Sequence, residues 1–271
     1  MTNVQPPPLC GVLVIDKPLG RTSMNICAVM RAKLRRGGAP RGIKVGHGGT
    51  LDPLATGVLV VLVGKATRYC NQIMAGRKRY LATIDLAHTS PTHDHESEFV
   101  PFVPQRADFQ APSLQEVSSA IEGFTGTIQQ TPPIHSAVNL GGARAYMLAR
   151  EGMEVPVQPR TVTIDSIRVV SYQWPMLVLD VHCGKGTYMR SLAHDLGRSL
   201  GTGGTLEALQ RTAAEPYTIE HARSFHELPE SLRQDDLLPL PPGLRDPASK
   251  PSATPDVGDD QPSAEPPPPG G

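Results

Sequence analysis

Apolar runs bounded by glycine and proline predict the strands of this chain. Gly11–Asp16 and Gly57–Gly64 are almost continuously aliphatic, which is typical of strands buried on both faces. Arg79–Leu86 alternates apolar and polar side chains, as expected of a strand with one covered face. Val162–Tyr172 and Met176–His182 predict two adjacent strands joined by a short turn. These runs together predict a sheet.

Apolar residues with helical spacing lie between the strands. Ile26, Met30 and Leu34 recur every four residues, behind Thr22 and Ser23, either of which can cap a helix. Three more helices are predicted. One begins at the capping box Ser113-x-x-Glu116, one spans Arg144–Glu151, and one spans Tyr188–Leu200 and ends at Gly201.

The order of these elements predicts the fold class. Strands and helices mix without a regular βαβ alternation, and His88–Pro112 is polar enough to be a loop or a weak hairpin. We therefore expect an α+β domain with a large, mainly antiparallel sheet flanked by helices.

Composition divides the chain into three segments and argues against several classes of protein. Ten of its 28 prolines lie within residues 241–271, so we predict a loose N-terminus over 1–10, a domain over 11–225 and a disordered, acidic tail over 226–271. Val58–Val63, the longest aliphatic run, is far shorter than the roughly 20 residues that cross a bilayer. The four scattered cysteines and the missing secretory signal pattern predict a reduced, cytoplasmic protein without a zinc site.

The net charge of zero conceals a basic N-terminal third. Residues 1–80 hold 13 Lys and Arg against two acids, a balance of +11. Clustered cations favour a polyanionic partner, although a solvated charged face explains the composition equally well. The cations of the predicted phosphate-binding cluster are Arg31, Lys33, Arg35, Arg36, Arg41 and Lys44.

Asp52 lies between a glycine-rich loop and the most hydrophobic strand. Pro53 restrains its backbone and biases it away from the helical region. This context can project a carboxylate into a cleft, but Asp-Pro pairs also form ordinary Asx-type turns. Local sequence leaves both interpretations open.

The segment Gly46–Arg68 resembles the signature GHxGTLDPxATGVLxxxxGxATR of the TruB family of tRNA pseudouridine synthases. It is long and almost gap-free, so the resemblance is specific. Further family blocks follow in the expected order over about residues 11–220: DKPLGRTS from Asp16, KRY from Lys78, PxxSA from Pro133, CGKGTYMRSL from Cys183 and LQRT from Leu209.

The resemblance implies a cofactor-independent enzyme that isomerises a uridine in the T-arm loop of tRNA, at position 55. Asp52 would act beside C1′ as a nucleophile or as a base, and Arg190 would pair with it. Tyr80 would stack on the target base and relay a proton. The resemblance implies three further residues at the substrate-binding site. Leu209 would wall the pocket, His47 would fill the space left by the flipped base, and Lys17 would bind there or support the loop.

The resemblance further implies tRNA as the partner, with no membrane, no metal and a monomeric protein. Three positions depart from the family pattern, namely Asn139, Ser97 and Glu215, and they affect loop shape and substrate positioning. We recognise no PUA RNA-binding block after Arg223. The alternatives are a synthase for another RNA and an RNA-folding chaperone. His93–Glu96 also permits a metal-site interpretation, which hydrated polar loops frequently mimic.

Overall fold

The computed structural model of the chain describes residues 9–104, 107–133, 139–140, 143–144 and 158–246. A ten-stranded sheet runs through the molecule. Within the described residues, no helix is long and apolar enough to span a membrane.

The elements are numbered in chain order. Strands β1 to β7 span Cys10–Lys17, Val45–His47, Ala55–Gly64, Lys78–Asp85, His88–Thr89, Val100–Pro101 and Gly126–Gln130. Strands β8 to β14 span Asn139–Leu140, Ala143–Arg144, Arg160–Gln173, Met176–Cys183, Thr205–Ala214, Tyr217–Thr218 and Arg223–Ser224. Helices α1 to α4 span Ser23–Arg36, Cys70–Ala75, Leu114–Glu122 and Met189–Leu200.

The main sheet has the strand order β14-β1-β3-β12-β4-β11-β10-β7, with β2 beside β3 and β13 beside β12. Only the β1–β14 and β3–β12 pairs in this sheet are parallel. Helix α1 packs on the β1–β3 half, whereas α3 and α4 share a core with β4, β10 and β11. The predicted α+β class with a large, mainly antiparallel sheet is confirmed.

Helix boundaries follow the capping signals of the sequence. The Thr22 hydroxyl accepts a hydrogen bond from Asn25 N, and Ser113 forms the predicted capping box at the start of α3. Helix α4 ends at Gly201, whose φ of 66° is accessible to glycine at little cost. Of the helix predicted over 144–151, residues 145–151 lie outside the described residues.

Strand β12 joins the two halves of the sheet, and the sequence patterns did not predict it. It pairs with β3 on one side and with β4 on the other. Gly57 explains the close approach to β3, because its φ is 98° and a Cβ there would lie 2.3 Å from Arg211 O. The family motif around Gly57 thus meets the LQRT block of β12 across the sheet.

The predicted tail boundary at residue 226 is wrong for the residues up to 246. Leu228, Leu232 and Leu237 are buried in the core that contains α1. Leu238 exchanges two 2.8 Å backbone hydrogen bonds with Val12 of β1. The segment is polar on average, but its few leucines are spaced to reach the core, which bulk composition cannot detect. Residues 247–271 lie outside the described residues, and their disorder stays a prediction.

Replacing Leu232 should therefore destabilise the folded domain. Its side chain is fully buried, so we expect Leu232→Ala to lower the free energy of unfolding by about 2–5 kcal/mol. Leu114→Ala is the matched control, because Leu114 is 54% exposed on α3. Urea unfolding of both variants measures the difference, and equal small losses would show that residues after 225 do not contribute to the core.

Candidate active site

Asp52 lies in a loop that is hydrogen-bonded on both sides of this residue, to the start of α1 and to the turn between β1 and α1. The Ser23 hydroxyl donates to Leu51 O at 3.0 Å and accepts from Leu51 N at 2.9 Å. Gly20 N donates to Pro53 O at 2.8 Å. The residues immediately before and after Asp52 are therefore fixed, and the carboxylate is held on a rigid backbone.

Arg211 of β12 holds the same loop from the opposite side. Its side chain is 2% exposed, and its guanidinium donates to Val58 O at 2.7 Å, Thr50 O at 3.1 Å and Gly49 O at 3.3 Å. The sequence placed Arg211 in a family block without giving it a role. Because a guanidinium offers five donors in one plane, Arg211 can link the Asp52 loop and β3 to its own strand, β12.

Arg190, in the first turn of α4, lies between two carboxylates. Its Nη2 is 3.1 Å from Asp52 Oδ2, and its Nη1 is 3.2 Å from Asp94 Oδ2. The side chains of Arg190 and Asp94 are 6% and 5% exposed, whereas that of Asp52 is 40% exposed. Asp94 thus neutralises the charge of the guanidinium on its buried side, and Asp52 pairs with it on the side that is open to solvent.

The loop that carries Asp94 is closed by its own polar side chains. Asp94 Oδ1 accepts from Glu96 N at 2.9 Å, and the Ser90 hydroxyl donates to Asp94 O at 2.9 Å. Ser97, which replaces the glycine of the family pattern, accepts from Thr92 N at 3.1 Å and lies 2.7 Å from the Thr92 hydroxyl. The departure at Ser97 therefore adds hydrogen bonds to this loop.

Tyr80 reaches the site from β4. It packs against both the β1–β3 core and the core beneath α4. Burial raises the pKa of its phenol, and the positive charge of the nearby Arg211 opposes part of that shift. The hydroxyl is therefore protonated at neutral pH and can act as a hydrogen-bond donor.

These side chains line a single cleft of about 520 Å³, which is in the range of small-molecule pockets. Asp52, Tyr80, Arg190, His47 and Leu209 all lie on its wall. These five residues come from the Asp52 loop and from four elements, namely β2, β4, α4 and β12, since His47 ends β2 and Leu209 lies on β12. Two lysines that the sequence analysis did not assign also line it: Lys78 and Lys185.

Lys17 does not line this cleft, and its prediction as a substrate-binding residue requires correction. It is fully buried, and its ammonium donates to Pro18 O, Arg21 O and Pro53 O at 2.9, 2.8 and 3.3 Å. Burial lowers the pKa of Lys17 to about 8, and the nearby Asp52 charge opposes that shift. Its hydrogen bond to Pro53 O instead suits the other predicted role, in which Lys17 supports the Asp52 loop.

The predicted phosphate-binding cluster divides into structural and exposed members. Lys33 is buried and donates to Leu228 O and Pro229 O, so it ties the C-terminal segment to α1 and is not available to phosphate. Arg36 pairs with Glu230. Arg31 donates to Val45 O at 3.0 Å. The members with exposed side chains free of acidic partners in the described part are Arg35, Arg41 and Lys44.

The acidic and histidine-rich run His93–Glu96 does not converge on a common point. Asp94 faces Arg190, His95 lies 2.8 Å from Glu207, and His93 stacks on His194. Among the described residues, no group of three or more His, Cys, Asp or Glu side chains could hold a metal ion.

Two family models together match residues 35–239 of the chain. Residues 35–189 match the N-terminal domain of TruB family pseudouridylate synthase. Residues 190–239 match the C-terminal domain of tRNA pseudouridylate synthase B. The second match includes the segment that packs Leu228, Leu232 and Leu237 into the core.

Two similar proteins are named tRNA pseudouridine synthase B. The tRNA pseudouridine synthase B of Parabacteroides distasonis is 39% identical over 224 residues, which cover 83% of this chain and 94% of that protein. The protein of the same name from an Arthrobacter species is 42% identical over 232 residues, covering 83% of this chain and 72% of that protein.

Two solved structures contain a chain with a similar fold. A crystal structure of a Cbf5–Nop10–Gar1 complex contains a chain that matches with a TM-score of 0.59 and 29% identity over 80% of this chain. An H/ACA RNP bound to a substrate RNA containing 2′-deoxyuridine matches with a TM-score of 0.55 and 28% identity, again over 80% of this chain. This chain spans about half the length of those two, 53% and 52% respectively.

Proposed function

This chain belongs to the TruB family of pseudouridylate synthases, and we propose that it isomerises uridine 55 in the T-arm loop of tRNA to pseudouridine. The observation that supports this most strongly is the Asp52–Arg190 pair on the wall of the cleft, with Tyr80 on the same wall. A half-exposed carboxylate held by a buried guanidinium is suited to act on a ligand that enters from solvent.

The reaction requires that one bond breaks and another forms on the same ribose carbon. The N1–C1′ bond breaks, the base turns, and C5 bonds to C1′. C5 then loses its proton and N1 gains one, so the product is an isomer of the substrate. Asp52 can assist as a nucleophile at C1′ or as a base at C2′, and the ion pair with Arg190 holds the carboxylate in place for either role.

The other residues of the cleft suit the handling of a flipped base. Tyr80 offers an aromatic face and a neutral hydroxyl, and we assign it to stacking and to relay of the C5 proton. Leu209 supplies an apolar wall. We assign His47 to filling the gap that the extruded base leaves, because extrusion costs a few kcal/mol that the protein must offset.

We assign binding of the tRNA backbone to the exposed members of the basic cluster. Replacing Arg35, Arg41 and Lys44 by glutamine should weaken tRNA binding and reduce the slope of log K against log salt by about 0.7–0.9 per lost contact. Turnover at saturating tRNA should change little, since these groups hold phosphate and not the reacting base.

Filter binding over a series of salt concentrations measures that slope. Arg168→Gln is the control, because Arg168 is exposed on the strand β10 and pairs with Asp180. If the triple variant and the control have the same salt slope as the original protein, the cluster is only a solvated face.

We further propose that the protein works as a monomer in the cytoplasm, with neither cofactor nor metal. The described side chains of the cleft supply a carboxylate, a phenol and a guanidinium, which suffice for the isomerisation as written. Size-exclusion chromatography with light scattering, and activity after exhaustive dialysis against EDTA, test these two points. A stable dimer, or activity that returns only with added metal, would contradict them.

Mapping pseudouridine in RNA from cells tests the substrate assignment. Deleting the gene should remove pseudouridine from position 55 of tRNA, and the original gene should restore it. Loss at a site in another RNA, with position 55 unaffected, would support the alternative synthase. Loss at no site would support the RNA-folding chaperone.

A further inference from the structure

Two histidines meet directly behind the Arg190 ion pairs. The rings of His93 and His194 are stacked, with centroids 4.0 Å apart and planes 4° from parallel. His194 follows Arg190 by four residues on α4, so both side chains leave the same face of the helix. Asp94 follows His93 directly. The Asp94–Arg190 pair and the histidine stack are therefore adjacent contacts between one loop and one helix.

The loop backbone at His93 is held in an unusual conformation. Its φ is 61°, in the left-handed region that non-glycine residues rarely adopt. His93 N donates to Ser90 O at 3.1 Å, and His93 O accepts from Leu206 N of β12 at 2.9 Å. Such a conformation persists only when its surroundings impose it, and the ring stack on α4 is one of the contacts that do so.

The charges around the stack favour two neutral rings. Burial, together with the nearby His194 and Arg190, lowers the pKa of His93 to about 4, while Asp94 opposes that shift. Burial also lowers the pKa of His194, with Asp195 raising it and Arg198 lowering it. Neutral rings can stack face to face at neutral pH without repelling each other or the Arg190 guanidinium.

We infer that His93 and His194 are positioning residues, whose ring stack presses the Asp94 loop onto α4 and so fixes the Arg190 guanidinium that holds Asp52. This inference rests on the proposed function for its catalytic consequence. Neither ring is among the residues that line the cleft, so any effect on turnover must pass through Asp94 and Arg190.

Two substitutions at His194 distinguish the stacking of a flat ring from the charge and hydrogen bonding of an imidazole. His194→Phe keeps a flat ring, and we expect its kcat to stay close to that of the original protein. His194→Ala removes the ring, while alanine is the best helix former and should leave α4 intact. We expect its kcat for T-arm RNA to fall about ten- to a hundredfold, as small misplacements of reacting groups do, with little change in KM. His226→Ala, an exposed histidine near the end of the domain, should change neither constant.

A double-mutant cycle with Asp94→Asn identifies the route of the effect. Once Asp94 no longer holds Arg190, removing the His194 ring should cost little more, so the two losses should not add. A purely structural role of His194 would instead lower the melting temperature and give additive losses. Additive losses, or equal losses in His194→Phe and His194→Ala, would overturn the inference.

An NMR measurement tests the same contact without turnover. The Arg190 guanidinium signal, assigned by its absence in Arg190→Lys, should shift and broaden in His194→Ala and remain unchanged in His194→Phe. If the original protein forms no pseudouridine but this pattern holds, the proposed function fails and the positioning contact stands. If turnover is normal but the signal is the same in all three proteins, the inference fails alone.

Discussion

Asp52→Asn protein is expected to bind tRNA as the original protein does and to lose turnover by at least about 10³-fold. The amide is nearly isosteric with the carboxylate, so the loop anchored by Ser23, Leu51 and Pro53 should keep its shape. An amide can neither attack C1′ nor accept a proton from C2′. The substitution thus removes the reactive carboxylate and leaves the shape of the cleft unchanged.

Tritium release from uridine labelled at C5 measures this loss, with binding determined separately by filter retention. Asp16→Asn is the matched control, because Asp16 is the other acid of the basic N-terminal third and lies in β1, outside the cleft. It should retain turnover. Appreciable tritium release by purified Asp52→Asn protein would assign the reaction to another group.

Arg190→Lys is expected to lower kcat by about 10²-fold, with KM little changed, because a preorganised charge at the reacting carboxylate is lost. Lysine keeps the positive charge, but its single ammonium cannot lie 3.1 Å from Asp52 and 3.2 Å from Asp94 in the geometry of a planar guanidinium. The lysine should pair with the more buried Asp94 and leave Asp52 without its partner.

The control for this substitution is Arg198→Lys, two turns further along α4 on an exposed position. Steady-state kinetics of both variants should show a loss for Arg190→Lys alone. A large rise in KM with unchanged kcat would mean that Arg190 binds RNA and does not prepare Asp52. Unchanged kinetics would mean that the buried ion pairs are only structural.

The strands and helices that the sequence predicts correctly are encoded by their own residues, as apolar runs or capping motifs. The Gly57–Gly64 run lies in β3, and the Ser113 capping box begins α3. Strand β12 lacks such a signal, because Thr205–Ala214 is rich in Leu, Glu, Ala and Gln, which favour helices. It is a strand because β3 and β4 present free edges on either side of it, and that is a property of the tertiary structure.

The site shows the same division between local and long-range information. Asp52, Tyr80 and Arg190 were proposed from family motifs, and the fold brings all three to one cleft. The sequence indicates Asp94 only within the run His93–Glu96, since its role depends on α4, about 100 residues away in sequence. Lys33 was grouped with the exposed cations, because its burial depends on residues 228–230, beyond the predicted end of the domain.

The activity that we propose for this chain is isomerisation of uridine 55 of the T-arm loop. To test it, the purified protein is incubated with two unmodified T-arm hairpin transcripts, one with uridine and one with cytidine at position 55, and pseudouridine is mapped at single-nucleotide resolution. We expect pseudouridine at position 55 of the first transcript and at no position of the second. Pseudouridine at another uridine, or none in either transcript under conditions where the protein binds both, would contradict it.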